Sequence, residues 1–338
     1  MRRTAVVVVA TFRRPDHVRI CLEHLQRQTI APRRIVVVDA SPDDETREVV
    51  AGFDRVEYRR NELGLGTLAA SRAIGTVDAT EDVIAFIDDD AYAEPDWLEW
   101  LLAAYEPPDV GAVGGRARMG QDGEERDGIE RIGRFLRNGR LTGNFAADPQ
   151  RVIEVDHMLG ANMSVRTDVL RSFGGIHDYY PGTCLREDSD LAFRVKLAGY
   201  RIVYAPEAVV LHVAGAYSKG ARFDLRYRFY GARNHILLLT TTLGWTDPHL
   251  IRYLASMAAS SGAAAAAGFR DWSSKSGLRA RLRGVGGGIV RAGADIAGTV
   301  IGLLAAIRPH DRAREVNAPL RSTGAVPHRT TGGSAGER

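Results

Sequence analysis

The chain is 338 residues long, with 45% hydrophobic residues and 45 Lys+Arg against 42 Asp+Glu. That length and composition can bury a sizeable core and exclude a disulfide miniprotein, a collagen and a wholly disordered polymer. The small net charge of +3 conceals an asymmetry: residues 269–338 carry 12 Lys+Arg and 5 Asp+Glu, a net of +7, which leaves −4 for residues 1–268, so an acidic body with a basic appendage is expected and nucleic-acid binding is disfavoured.

The opening MRRTAVVVVATFRRP has too short an apolar stretch for a signal peptide and runs straight into Arg13, Arg14 and Pro15, so it reads as a first buried strand, Ala5–Ala10. Ile35–Asp39 and Val83–Ile87 are also β-branched apolar runs without polar alternation, the pattern of strands covered on both faces of a parallel sheet. Between them, Pro15–Gln28 places Val18, Cys21, Leu22 and Leu25 at helical spacing, and Asp43–Ala51 starts with acidic residues after Ser41-Pro42. A third strand near Val56–Arg59 leads through NELGLG into an Ala-rich helix ending near Gly75. Alternation of strand and helix predicts a doubly wound nucleotide-binding half, with ligand at the carboxyl ends of the strands, where Thr11, Asp39 and Asp88–Asp90 lie.

From Gly111 the pattern changes. Residues 119–150 read as a variable or mobile insertion, VDHMLGANMSVRTDVL as strand then helix, and Glu187–Ala198 as a helix closed by Gly199. Strands are predicted near Tyr200–Tyr204 and Val209–His212, and a helix over Phe223–Leu239. Beyond Trp245 the chain is rich in Ala, Gly and Arg. Ile296–Ile307 is too short to span a bilayer, and extending it toward Gly286 admits Arg291 and Asp295, so a peripheral amphipathic segment is expected. The resulting division is a catalytic domain over 1–240 (nucleotide-binding half 1–110, acceptor half 111–240), a helical extension over 241–316 and a disordered tail over 317–338. Cys21 and Cys184 stand far apart without a nearby ligand cluster, which points to a reducing compartment and gives no indication of a structural zinc.

The strongest chemical feature is FIDDDA. Three adjacent carboxylates, Asp88, Asp89 and Asp90, repel one another unless a cation is present, and Asp88 and Asp90 can lean toward one hard divalent ion. The plain alternative is a solvated acidic turn. REDSDLAFR places Glu187, Asp188 and Asp190 at a helix start, where a carboxylate serves either as a general base or merely as a favourable charge on the dipole. His212 ends the apolar strand VVLH and is either a ligand of manganese or magnesium or a hydrogen-bonded strand-end imidazole.

The ordered set VVVATFRRPD, VVVDAS, RNELGLG…ASRAIG, FIDDDA, GANMSVRTDVL, REDSDLAFR and VVLH, spanning about residues 4–240, resembles that of family-2 glycosyltransferases with the GT-A fold. The resemblance implies an α/β fold with a Rossmann-like, doubly wound mixed sheet followed by the helical extension. It implies inverting transfer from a nucleoside diphosphate sugar, of uridine or thymidine, to an acceptor hydroxyl on a glycan, a lipid-linked carrier or a small molecule, with Mn2+ or Mg2+ on the pyrophosphate. Thr11, Arg13 and Asp39 would then border the nucleotide, Asp39 accepting from the base, with Arg72 near the pyrophosphate. Asp88 and Asp89 would meet the nucleotide sugar, Asp88 and Asp90 with His212 would hold the ion, and Asp188, paired with Glu187, would be the base. Asn162 would meet the acceptor.

Each residue also has a plainer reading: Arg72 as a helix-surface arginine, Asp39 as a cap of the Ser41-Pro42 turn, and Asn162 as part of a structural turn. Arg72-Ala73 departs from the family's Arg-Asn pair. Lys219, Arg222 and Arg226 are candidates to close over the diphosphate or else a solvated helix face, the latter preferred for Arg226. A sugar-nucleotide pyrophosphorylase is disfavoured because ATFRRPD contains no glycine for a triphosphate loop. A non-catalytic scaffold of the same fold requires that the acidic clusters not converge. The tail, with Trp272, Lys275, Arg279, Arg281 and Arg283, matches an anionic membrane surface, or else dimerises or is floppy. A cytoplasmic protein, peripheral on the inner membrane face, is therefore expected.

Overall fold

The computed structural model describes residues 3–213, 224–270 and 278–322. Strands β1 (Ala5–Thr11), β2 (Arg34–Asp39), β3 (Val56–Arg60) and β4 (Val83–Asp88) run parallel in the order β3-β2-β1-β4. Successive side chains of a strand face opposite sides, and here both sides are covered. Val7, Val9, Ile35 and Val37 pack with Val18, Cys21, Leu22 and Leu25 of α1 (Pro15–Gln26). Val6, Val8, Val36 and Val38 pack with Ala69 and Ala73 of α3 (Leu68–Thr76). Short α2 (Glu45–Val50) adds Val50 to the first core. Two-sided burial is why these strands carry no polar alternation.

Beyond β4 the sheet turns mixed. It continues through β8 (Asn162–Arg166), β6 (Val110–Arg118), β9 (Arg201–His212) and β5 (Ala91–Ala93), with β7 (Ile153–Glu154) pairing β9. Helix α4 (Trp97–Ala103) covers the first face, and α5 (Thr167–Ser172) and α6 (Glu187–Leu197) the second. The two strands predicted at 200–212 are one strand. Its pairing with β6 jumps from Ala205 to Val209, so residues 206–208 bulge at Pro206, which lacks the N–H a continuous ladder needs. Residues 119–150, expected to be a variable or mobile insertion, are anchored from 132 to 147: Ile132, Phe145 and Ala147 are buried, and the Tyr204 hydroxyl donates to the Phe145 and Ala147 carbonyls at 3.0 and 2.8 Å.

Helix α7 (Leu225–Thr242), capped by Asp224, whose carboxylate accepts from the Tyr227 amide at 2.7 Å, packs with α8 (Pro248–Arg270) and α9 (Leu278–Ile307). Gly298 and Gly302 lie directly against the backbone of α7 at Phe229 and Arg233, where a Cβ would collide. Asp295 of α9 pairs with Arg228 of α7. Because α9 continues through the glycines, its segment Gly286–Ile307 reaches 22 residues with a mean hydropathy of 1.6, long and apolar enough by length and composition to cross a bilayer, with Arg291 and Asp295 inside it. The start of the tail expected to be disordered is corrected for residues 317–322: Asn317 is fully buried, and α10 (Ala318–Ser322) follows it. Residues 323–338 lie outside the described residues, as do Lys219, Arg222, Trp272 and Lys275.

Candidate active site

Strand register brings the acidic triplet to the cleft. Parallel pairing of β1 and β4 sets Ala10 opposite Asp88, so the loops leaving both strands emerge side by side at their carboxyl ends, the expected ligand edge. Antiparallel pairing of β5 and β9 sets Ala91 opposite His212, which carries the imidazole beside Asp90 across more than a hundred residues of sequence. His212 Nε2 lies 3.2 Å from Asp90 Oδ1, and donor atoms of Asp88, Asp90 and His212 all fall within 4.8 Å of one another. Two carboxylates and an imidazole at this spacing fit a hard to borderline divalent ion such as Mn2+ or Mg2+.

Arg14, not Arg13, reaches into this cluster. Its Nη1 lies 3.1 Å from Asp89 Oδ1 and 2.9 Å from Asp90 Oδ2. Arg13 points outward, 59% exposed and 3.9 Å from Asp43, while its backbone N–H donates to Ser41. Adjacent arginines in a loop face different ways, and sequence does not say which turns inward. Asp89 is buried and accepts from the Thr11 hydroxyl at 2.7 Å. Burial pushes its carboxyl up to about 7 against the pull of Arg14. Asp89 therefore braces Thr11 and Arg14 from within the wall of the cleft.

The opposite wall is the start of α6. Asp188 Oδ1 accepts from the Ser189 amide at 2.7 Å and the Ser189 hydroxyl at 3.1 Å, and its Oδ2 accepts from the Gly160 amide at 3.2 Å. These donors orient a carboxylate that still lines the cleft. Glu187 turns the other way. It is 5% exposed, one oxygen accepts from Arg72, and Oε2 is buried without a hydrogen-bond partner among the described residues. Burial pushes Glu187 up to about 8, Arg72 pulls it back and Asp188 pushes it further. Glu187 is thus a largely buried residue at the edge of the cleft, paired with Arg72.

Arg72, expected near a pyrophosphate, is 1% exposed. It donates to Glu187, to Asp88 Oδ1 at 2.9 Å and to the Gly160 carbonyl at 2.8 Å, and sits over the Phe86 ring at 5.8 Å. One guanidinium thereby ties Asp88 to the helix that carries Asp188.

Two other expectations are corrected by the way hydrogen bonds are spent. Asp39 is fully buried, and its oxygens accept from the Ser41 amide at 2.8 Å, the Ser41 hydroxyl at 2.5 Å and the Tyr58 hydroxyl at 3.0 Å. It caps the turn after β2 and does not line the cleft. Asn162 is also fully buried, accepting from the Trp97 indole at 2.8 Å and donating to the Arg116 and Ala208 carbonyls at 3.0 and 2.8 Å, so it joins three strands and α4 and leaves nothing for an acceptor sugar.

Arg226, read from sequence as a solvated arginine, lines the cleft, donating to the Gly182 carbonyl at 2.8 Å with its guanidinium 5.4 Å from the Tyr230 ring. The cleft, of about 340 Å³, is bounded by Thr11 and Arg14, by Gly64–Leu68 with Ser71 and Arg72, by Asp88–Asp90 and His212, and by Gly182–Asp188. Arg14 and Arg186 were missed from sequence. The only signal for Arg14 was its place between a strand end and the Pro15 that opens α1.

The fold and cleft define a GT-A-like α/β protein, and comparison with known proteins narrows the class. The description "Glycosyl transferase family 2" matches residues 6–171. The glucosyl-dolichyl phosphate glucuronosyltransferase of Haloferax volcanii is 30% identical over 225 residues, covering 63% of this chain and 69% of that protein. The O-antigen chain rhamnosyltransferase of Salmonella typhimurium is 28% identical, covering 56% of this chain and 60% of that protein. A mannosyltransferase of Pyrobaculum calidifontis, solved with GDP-Man and Mn2+, superposes with a TM-score of 0.56 at 18% identity, over 90% of this chain and 88% of that one. The chain belongs to glycosyl transferase family 2.

Proposed function

We propose that the protein transfers a glycosyl group from a nucleoside diphosphate sugar to an acceptor hydroxyl with inversion, using Asp188 as general base and a divalent ion held by Asp88, Asp90 and His212. The observation that carries this reading is that the Asp188 carboxylate and the three-residue ligand set face one cleft. In the step, the acceptor oxygen bonds to the anomeric carbon, its proton passes to the Asp188 carboxylate, and the bond from that carbon to the diphosphate oxygen breaks with its electron pair leaving on the diphosphate. A single displacement inverts the anomeric centre. A divalent ion, when bound, supplies positive charge for that leaving group. Arg14 and Arg226 line the same cleft and add fixed positive charge at the diphosphate. Thr11 borders the nucleotide.

The lipid-phosphate-linked substrate in the name of the Haloferax relative favours a lipid-linked acceptor here. The exposed side of α9 agrees with that choice. Ile289, Val290, Ile296, Val300, Leu304 and Ile307 are 49–66% exposed, on a helix that begins LRARLR and is followed by Arg308. An aliphatic stripe with basic ends suits an anionic bilayer surface, and a cytoplasmic enzyme peripheral on the membrane follows.

Purified protein incubated with UDP-, dTDP- and GDP-sugars and Mn2+ is expected to turn over at least one donor. Asp188→Asn should lower kcat by about 10²–10⁴-fold while nucleotide binding persists. Wild-type turnover in that variant defeats the assignment of the base.

A further inference from the structure

After α9 the chain doubles back onto the catalytic domain. Asp311 hydrogen-bonds with His177 at 2.8 Å and accepts from the Asp178 amide at 2.9 Å. The Arg312 amide donates to the Asp178 carbonyl at 3.0 Å. Its guanidinium forks, donating from Nη2 to Asp178 Oδ1 at 2.6 Å and to the Gly66 carbonyl at 3.0 Å. Further on, Ala313 and Asn317 are fully buried, and Asn317 donates to the Ile176 carbonyl at 2.7 Å.

The two loops held in this way are walls of the cleft. Gly64, Leu65, Gly66 and Thr67 line one side, and the segment after Asp178, Gly182–Arg186, lines the adjoining side and leads directly into α6 with Asp188. The loops touch: a Cβ on Gly66 would lie 3.5 Å from the Gly182 carbonyl oxygen. Both glycines have positive φ, +84° and +82°, a conformation that favours glycine, and each loop is braced by its own neighbours, Asn61 on Thr67 and Arg226 on the Gly182 carbonyl, but none of these bonds joins one loop to the other. Arg312 is the one guanidinium that bonds to both the Gly66 carbonyl and the fully buried Asp178 among the described residues.

We propose that residues 311–317 form a clasp that completes the cleft, with Arg312 as a positioning residue setting the Gly64–Thr67 loop against the Gly182–Arg186 loop where the donor nucleotide enters. The role in donor binding rests on the reading of the cleft as a nucleotide-sugar site. The clasp itself does not. A segment 246 residues from Gly66 in sequence thus decides the shape of a loop in the first third of the chain.

The test compares wild type with Arg312→Ala by amide hydrogen exchange and by donor kinetics. Exchange over residues 62–68 and 180–186 should rise about tenfold, because local opening no longer has to break the clasp. The donor KM should rise about five- to tenfold with kcat within twofold, the signature of misplaced binding loops and an intact base, and Mn2+ binding in the absence of nucleotide should not change. Arg312→Lys should recover part of the KM. If Arg312→Ala unfolds because Asp178 is left uncompensated, the double variant Arg312→Ala/Asp178→Asn removes both charges and carries the same expectations. Exchange rates equal to wild type in the folded variant overturn the clasp, whether or not any sugar is transferred. Wild type that turns over no nucleotide sugar defeats the reading of the cleft and leaves the exchange comparison to decide the clasp.

Discussion

Replacing Arg72 with leucine removes the cation that joins Asp88, Glu187 and the Gly160 carbonyl. Hydrogen bonds to charged groups contribute about 1.5–3 kcal/mol each. Asp88 is 27% exposed and is rescued by water, so its share is discounted. The buried Glu187 and Gly160 partners then set a loss of roughly 3–5 kcal/mol. With an unfolding entropy of about 2.1 cal/mol/K per residue, ~0.7 kcal/mol/K for a chain of this length, Tm should fall by about 4–7 °C.

The loss should also depend on pH. Glu187 is held up at about 8 against an ordinary 4.5, chiefly by burial. A carboxyl raised in the folded state contributes stability that is fully present below its unfolded value and is lost as pH rises through the folded one. Without Arg72 the folded value climbs further, so the variant keeps losing stability above pH 8 where wild type has stopped. The gap should widen by about 1 kcal/mol between pH 8 and pH 9. Thermal melts of both proteins at pH 6, 8 and 9 measure this directly. A Tm within 1 °C of wild type at pH 6, or a gap that does not grow with pH, refutes the reasoning.

Removing a proposed metal ligand should act on a different quantity: His212→Ala is expected to weaken Mn2+ binding at least tenfold by calorimetry with little change in Tm, and chelation of wild type should abolish turnover with recovery on adding Mn2+ back. Asn162→Ala should lower stability by about 2–4 kcal/mol, since it leaves the buried Trp97 indole and two carbonyls without partners, and a folded Asn162→Ala enzyme should keep its acceptor KM. Asp39→Asn should cost about 1–3 kcal/mol in denaturant unfolding through the Ser41 and Tyr58 hydrogen bonds, while leaving nucleotide affinity within twofold. An affinity loss larger than that would return Asp39 to the binding site.

How far sequence reading carried can be judged residue by residue. The parallel strands were legible because β1, β2 and β4 are covered on both faces and therefore consist of unbroken apolar residues. The acidic triplet and the Glu-Asp pair were legible because adjacent carboxylates at a strand end or helix start are electrostatically conspicuous. What a polar residue spends its hydrogen bonds on was not. Asp39, Asn162 and Arg72 have the residue types of ligand-binding groups, yet Asp39 and Asn162 spend their hydrogen bonds on the turn and strands around them, and Arg72, at the edge of the cleft, spends its own on Glu187, Asp88 and the Gly160 carbonyl. Arg226 looked solvated until the Gly182 loop was placed beside it.

Local composition and periodicity determined the α/β alternation, the strand ends that carry Thr11 and Asp88–Asp90, and the helix that presents Asp188, because each depends on neighbours within one or two turns of chain. Tertiary structure alone decided that His212 meets Asp90, that Arg14 and not Arg13 enters the cleft, and that Arg312 reaches Gly66. Those pairings follow from strand register and from a chain that folds back after α9, and pairing across 76 to 246 residues leaves no imprint on the spacing of nearby side chains.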